Sequence, residues 1–168
     1  MNKDSLIETL REIRFLHDIG PMHLEQIAKI SRVRDFKEGD VVFRQGDAAQ
    51  HVYMVVAGNV SLEICAAGSG CKQILTLGPG ELLGWSAVLE QLSFTARARA
   101  VAATRLVEIN VAQLLGMCDQ DPQFGYALMR QVALALAKRL SATRIQLLDV
   151  YGASLPVVPN DVEAGDGQ

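Results

Sequence analysis

Five glycine-centred turns crowd the stretch between residues 38 and 80: Glu38-Gly39-Asp40, Gln45-Gly46-Asp47, Ala57-Gly58-Asn59, Gly68-Ser69-Gly70 and Gly78-Pro79-Gly80. Glycine tolerates the positive φ and tight corners that strain other residues, so turns this closely spaced leave room only for short strands between them. The intervening residues agree. Apolar and polar positions alternate around Val41 and Phe43, again through VYMVVAGNVSLEI, then in KQILTL and, further on, in ARAVAATRLVEIN up to about Asn110. Short strands punctuated in this way predict a β meander that closes into a barrel or sandwich, not an open α/β sheet.

Helical spacing brackets the strands. Leu6, Leu10, Ile13 and Leu16 recur at intervals of three and four, and Leu24, Ile27, Ala28 and Ile30 repeat the pattern after Pro21. From Val111 the chain returns to helix through VAQLLGMC, breaks at Asp121-Pro122, and continues in one long run from Gln123 to Val150. The expected organisation is N-terminal helices over 1–32, a β-roll over 33–110, C-terminal helices over 111–152 and a tail over 153–168.

Charge and composition narrow the function. The chain has 168 residues, 49% of them hydrophobic, and a formal charge of -3. Its pI near 5.6 gives no basic footprint for nucleic acid. The N-terminus MNKDSLIETLREIRF is charged throughout, and no apolar run approaches the roughly 20 residues that span a bilayer, so a cytoplasmic protein without membrane contact is expected. Three cysteines, Cys65, Cys71 and Cys118, are then expected as free thiols, although Cys65 and Cys71 could face each other across a hairpin.

Nothing in the chain spells out a catalyst. His17, His23 and His51 lie in different elements without metal-ligand spacing, no Cys-x-x-Cys occurs, and neither a G-x-S-x-G elbow nor a phosphate-binding glycine loop is present. The expectation is a protein that is not an enzyme and holds no metal.

The order of elements and the residues FKEGDVVFRQGDAAQHVYMVVAGNVSLEI, LTLGPGELLGW and TARARAVAATRLVEI resemble the cyclic-nucleotide-binding domain of catabolite activator protein and of the regulatory subunits of cAMP-dependent kinase. The resemblance covers about residues 10 to 148. It implies a mostly β fold: an eight-stranded, jelly-roll-like β-roll (a double-stranded β-helix) with N-terminal helices and a long C-terminal helix.

In that family a phosphate-binding cassette reads approximately F-G-E-L-A-L-L, followed after a few residues by R-[ST]-A. Set against it without gaps, Gly80 takes the earlier turn glycine and Gly84 the cassette glycine. Trp85 then stands where the ribose-binding glutamate would be. Phe94-Thr95-Ala96 falls on the R-[ST]-A triplet, so Phe94 replaces the phosphate-binding arginine. Neither aromatic can supply the charge-assisted bond, nor the acceptor for a ribose hydroxyl. The candidate ligand-binding residues are Gly84, Trp85, Ser86, Ala87, Phe94 and Thr95. The backbone amides of Gly84 to Ala87 and the Thr95 hydroxyl are what the cassette retains.

Two readings follow: Trp85 and Phe94 plug an abandoned pocket, or they line a less polar one in which a flat ligand stacks. The ligand classes left open are a cyclic nucleotide, another small anionic or aromatic molecule, or none. Arg97 and Arg99 do not replace the lost charge, because strand alternation puts Phe94, Ala96, Ala98 and Ala100 on the inner face and both arginines outside.

The long helix carries two apolar stripes. Tyr126, Met129, Ala133, Leu136, Leu140, Thr143, Leu147 and Val150 follow coiled-coil spacing, while Leu128, Val132 and Ala135 form a second stripe suited to packing on the barrel. The family's bacterial regulators dimerise through this helix, and the resemblance implies a homodimer here. Those regulators continue into a helix-turn-helix. This chain runs on instead as ASLPVVPNDVEAGDGQ, which reads as a disordered tail, so no direct DNA binding is expected. The function expected is a stand-alone sensory or regulatory module with a divergent cassette, acting on a protein partner. The alternatives are a ligand-independent dimerisation scaffold and, more remotely, an ordinary cAMP or cGMP receptor.

Overall fold

Among the described residues the turn glycines and the alternation between them resolve into eight strands, the number that the family resemblance implies. A computed structural model describes residues 3–151 apart from Ser69, Glu90 and Gln91. The strands are β1 Ser31–Phe36, β2 Val41–Phe43, β3 His51–Ala57, β4 Val60–Ala66, β5 Gly70–Leu77, β6 Leu82–Leu83, β7 Arg97–Ala100 and β8 Thr104–Asn110. They form two four-stranded antiparallel sheets, ordered β1-β8-β3-β6 and β2-β7-β4-β5. The expected meander is corrected: among the described strands only β4 and β5 are both chain neighbours and paired neighbours, and the other successive strands lie in different sheets, which is the crossing pattern of a jelly roll.

Alternation along each strand builds the interior. Phe43, Tyr53, Val55, Val60, Leu62, Leu77, Leu83, Phe94, Ala98 and Leu106 form one buried cluster. The intervening residues of the first sheet, Val52, Met54, Val107 and Ile109, are also buried, each at 1% exposure or less. On this sheet α2 (Pro21–Lys29) meets β1 and α3 (Val111–Gln120) meets β8. Between β3 and β4, Gly58 has φ +83°, and a Cβ there would lie 2.3 Å from the Ala103 carbonyl oxygen, so this turn admits only glycine.

The flanking helices begin where capping chemistry permits. α1 spans Lys3–Glu12 and α2 opens on Pro21, whose missing N–H is no loss in a first turn. The Asn110 side chain accepts from the Gln113 N–H to start α3. Asp121 accepts from the Gln123 and Phe124 N–H groups to start α4 (Pro122–Tyr151), which places the break at the expected residues. The first strand begins at Ser31, two residues before the period change suggests.

By its contacts the chain divides into two units, 1–135 and 136–168, and α4 contributes to both. In the first unit Phe124, Leu128 and Val132 are buried, with Phe124 stacked on His23 at 4.6 Å, while Tyr126 is 72% exposed. The packing stripe expected on this part of α4 is therefore the buried one. In the second unit Leu140, Ile145, Leu147 and Leu148 are exposed. The tail expected over 153–168 lies outside the described residues.

The free-thiol expectation is corrected for two cysteines. Cys65 and Cys71 stand directly opposite each other in the β4–β5 register and are joined as a disulfide, because the strand pairing brings together side chains that share a face. Cys118 is free. Among the described residues no helix is long and apolar enough to cross a membrane.

Candidate functional site

The candidate ligand-binding residues lie in the segment between β6 and β7. Gly80 and Gly84 both have positive φ, +81° and +75°. The Glu81 carboxylate accepts from the Gly78 N–H and so serves the turn. At Gly84 a Cβ would lie 3.1 Å from the Phe94 ring, 3.2 Å from the His51 carbonyl oxygen and 3.3 Å from the Tyr53 ring. Glycine is what lets the chain pass between these groups.

Trp85–Leu89 then forms a short 3-10 helix. Ser86, Ala87 and Val88 are buried, whereas Trp85 is only half-buried. The Ala87 N–H donates to the Gly84 carbonyl at 3.4 Å, so this amide is engaged within the turn.

Phe94 fills the interior. It is 4% exposed and stacks on Phe43 with ring centroids 3.8 Å apart, and Phe43 in turn lies 5.6 Å from Tyr53. Its backbone is clamped on both sides: the Phe94 N–H donates to the Asp47 carbonyl at 2.9 Å, and the Gly46 N–H donates to the Phe94 carbonyl at 2.8 Å. Thr95 is exposed. Regular strand begins only at Arg97, yet Phe94, Ala98 and Ala100 are all buried, as alternation requires, with Ala96 half-buried in the bend. The fold thus brings Gly84, Ser86, Ala87 and Phe94 to the buried side and leaves Trp85 and Thr95 at or near the surface.

Arg97 and Arg99 do point away from the interior, but they are not merely solvated. Both grip Glu63 on β4. The Arg99 Nε and Nη2 donate to Oε1 at 2.9 and 2.6 Å, the Arg97 Nε donates to Oε2 at 2.6 Å, and the Arg97 Nη2 reaches the same oxygen. The Ser61 hydroxyl adds a bond to Oε1 at 2.8 Å. Burial of the Glu63 carboxyl, 2% exposed, works to raise its pKa; the bonds from Arg99, Ser61 and Arg97 outweigh that and hold it at about 2. Ser61 and Glu63 went unremarked in the sequence, although alternation about Val60 and Leu62 places them on the face of Arg97 and Arg99.

A second buried carboxylate lies on β8. Glu108, 4% exposed, is met by the Arg32 Nε, by the Arg34 Nη1 at 3.4 Å and by the Tyr53 hydroxyl, which donates at 3.3 Å; the His51 Nδ1 is 3.8 Å away. Burial raises the Glu108 pKa, but the Arg32 bond and the charges of His51, Arg32 and Arg34 together lower it. Tyr53 is pushed up to about 12 by burial first and by the Glu108 charge second. A cleft of about 220 Å³ opens beside Glu108, lined also by Lys29, Arg32, His51 and Gln113. No motif announces this cluster, because its members meet only through the pairing of β1, β8 and β3.

Comparison with known proteins agrees with this fold. The family model described as cyclic nucleotide-binding domain matches residues 33–121, more than half of the chain. The chain is 29% identical over 131 residues to the cyclic AMP receptor protein of Thermus thermophilus, covering 78% of this chain and 59% of that one. It spans less than two thirds of the length of the curated relatives it matches. A crystal structure from Geobacter metallireducens, solved as a candidate cyclic nucleotide-binding protein, superposes with a TM-score of 0.71 at 31% identity, covering 79% of this chain and 96% of that one. A cyclic nucleotide-binding domain from Methylobacillus flagellatus gives a TM-score of 0.74 at 14% identity, covering 94% and 86%, and shows the shared fold alone. With its eight-stranded roll, its turn glycines and this match, the chain belongs to the cyclic nucleotide-binding domain family.

Proposed function

We propose that this chain is a cytoplasmic regulatory module that does not bind cAMP or cGMP in the family's usual way and transmits its state through a homodimer to a protein partner. One observation carries the reading: the position assigned to the phosphate-binding arginine holds Phe94, buried and stacked on Phe43 at 3.8 Å. A cyclic phosphate seated there would face an aromatic ring instead of a guanidinium, losing a charge-assisted bond worth roughly 1.5–3 kcal/mol. Of the two readings of the aromatics, the burial of Phe94 favours a plug. Half-buried Trp85 keeps a face for a flat ligand at the rim. The arginines that might have compensated are engaged by Glu63 on the other side of the sheet.

The dimer is proposed through the seam Tyr126, Met129, Ala133, Leu136, Leu140, Thr143 and Leu147. Exposure of Tyr126 and Leu140 supports it, since large apolar side chains at heptad spacing want a partner. No catalytic role is part of this reading.

Titration calorimetry with cAMP and with cGMP tests the central claim. Binding weaker than about 100 μM is expected for both. A dissociation constant at or below about 1 μM would make the chain an ordinary cyclic-nucleotide receptor.

A further inference from the structure

Three features meet at the end of the β4–β5 hairpin. The first is the disulfide itself. Cys65 and Cys71 are directly opposed in register and separated by only 6 positions in sequence. A bond closing so short a loop restricts the unfolded chain less than one closing a long loop, so it stabilises the roll less than a long-range bridge would. The second is access. The hairpin leaves the core after Leu62 and Leu75: Ile64 is 40% exposed, Cys71 is exposed and Cys65 is half-buried. Exposed disulfides are the more readily exchanged ones.

The third feature is a connection to the candidate site. The Cys65 N–H donates to the Gln45 Oε1 at 2.9 Å. Gln45 adjoins the loop that clamps Phe94 through the Gly46 N–H and the Asp47 carbonyl, and the same loop holds Leu92 through the Ala49 N–H at 3.0 Å. One side chain therefore ties the end of the hairpin to the backbone that keeps Phe94 in the interior.

We propose that Cys65 and Cys71 are a reversible thiol–disulfide exchange site, opened by a dithiol reductant, whose state sets the order of the hairpin end and, through Gln45, of the loop that clamps Phe94. The chemistry balances without help. A thiolate of the dithiol attacks the exposed Cys71 sulfur, Cys65 leaves as thiolate and takes up a proton, and the second thiol of the reductant resolves the mixed disulfide. Two electrons pass to the protein, two protein thiols form, and the reductant leaves as a cyclic disulfide. Cys118 stays outside the exchange: it is half-buried, and burial with the nearby Asp119 charge raises its thiol pKa.

The test uses the full chain purified without reductant. After denaturation and alkylation, intact mass should show one label, on Cys118. Folded protein held in millimolar dithiothreitol, then alkylated under the same denaturing conditions, should show three, with circular dichroism unchanged before denaturation. Oxidised glutathione should return the count to one. Reduction should speed amide exchange roughly tenfold in residues 64–66, 70–73 and 45–49 while leaving 104–110 unchanged. In Gln45→Ala the hairpin should still respond and 45–49 should not. The Cys65→Ser/Cys71→Ser double variant should be indifferent to dithiothreitol, so that any response it retains comes from elsewhere. Three labels without reductant, or a disulfide that resists dithiothreitol until the protein unfolds, would overturn the exchange site. Unchanged exchange at 45–49 on reduction, or a response there that survives Gln45→Ala, would overturn the connection.

Discussion

Phe94 lies against Phe43 with ring centroids 3.8 Å apart and an interplanar angle of 18°, so the two rings form a stacked aromatic pair in the interior of the roll. Phe94→Ala should therefore act as a core truncation. A stability loss of about 3–5 kcal/mol is expected from the lost burial and the cavity left beneath Phe43 and Tyr53. Urea unfolding checks it; a loss below about 1 kcal/mol would mean that the ring is not core.

Gly84 is held at φ +75° with the Phe94 ring 3.1 Å from where a Cβ would stand. Gly84→Ala combines a strained backbone with a steric contact and should cost about 1–3 kcal/mol. A thermal melt unchanged by the substitution would show that the turn relaxes and that the assigned register is loose there.

Glu63 makes stability depend on acid. Its pKa is held at about 2 in the folded chain, below its ordinary value of 4.5. The contribution is therefore complete above 4.5 and is lost as pH falls from 4.5 toward 2. Glu63→Gln should cost roughly 1–2 kcal/mol at neutral pH, modest because both guanidiniums reach solvent. It should also flatten the stability profile below about pH 4.5. Urea midpoints compared at neutral pH and near pH 3 decide it. An equally steep acid loss in the variant would assign that loss to other carboxylates, with Glu108 the first to examine.

Leu136→Glu tests the proposed dimer. Opposed glutamates in a desolvated seam cost several kcal/mol, so sedimentation should report a folded monomer. A dimer that persists would place the interface elsewhere. An unfolded variant would make this stripe part of the core.

Much of the fold was legible because turns and alternation are local properties. Glycines at 39, 46, 58 and 80 mark corners with positive φ. The buried set Phe94, Ala98 and Ala100 follows from counting by twos, and the burial of Leu128 and Val132 from counting by threes and fours. The free-thiol reading of Cys65 and Cys71 went the other way. Composition and compartment argued for thiols, and only the β4–β5 register, offset by a bulge between Leu62 and Glu63, sets the two side by side.

By itself the chain determined the order of helices and strands and the positions of the turns, because each depends on a few neighbouring residues. Tertiary structure decided the rest. Glu63 finds its arginines 34 and 36 positions away, and Glu108 finds Arg32 76 positions away, because particular strands pair in a particular register. Phe94 is buried where Phe43 arrives from another strand to stack upon it. Periodicity tells a side chain which face to take, but it carries no information about what waits on that face, and burial, charge pairing and pKa all follow from what waits there.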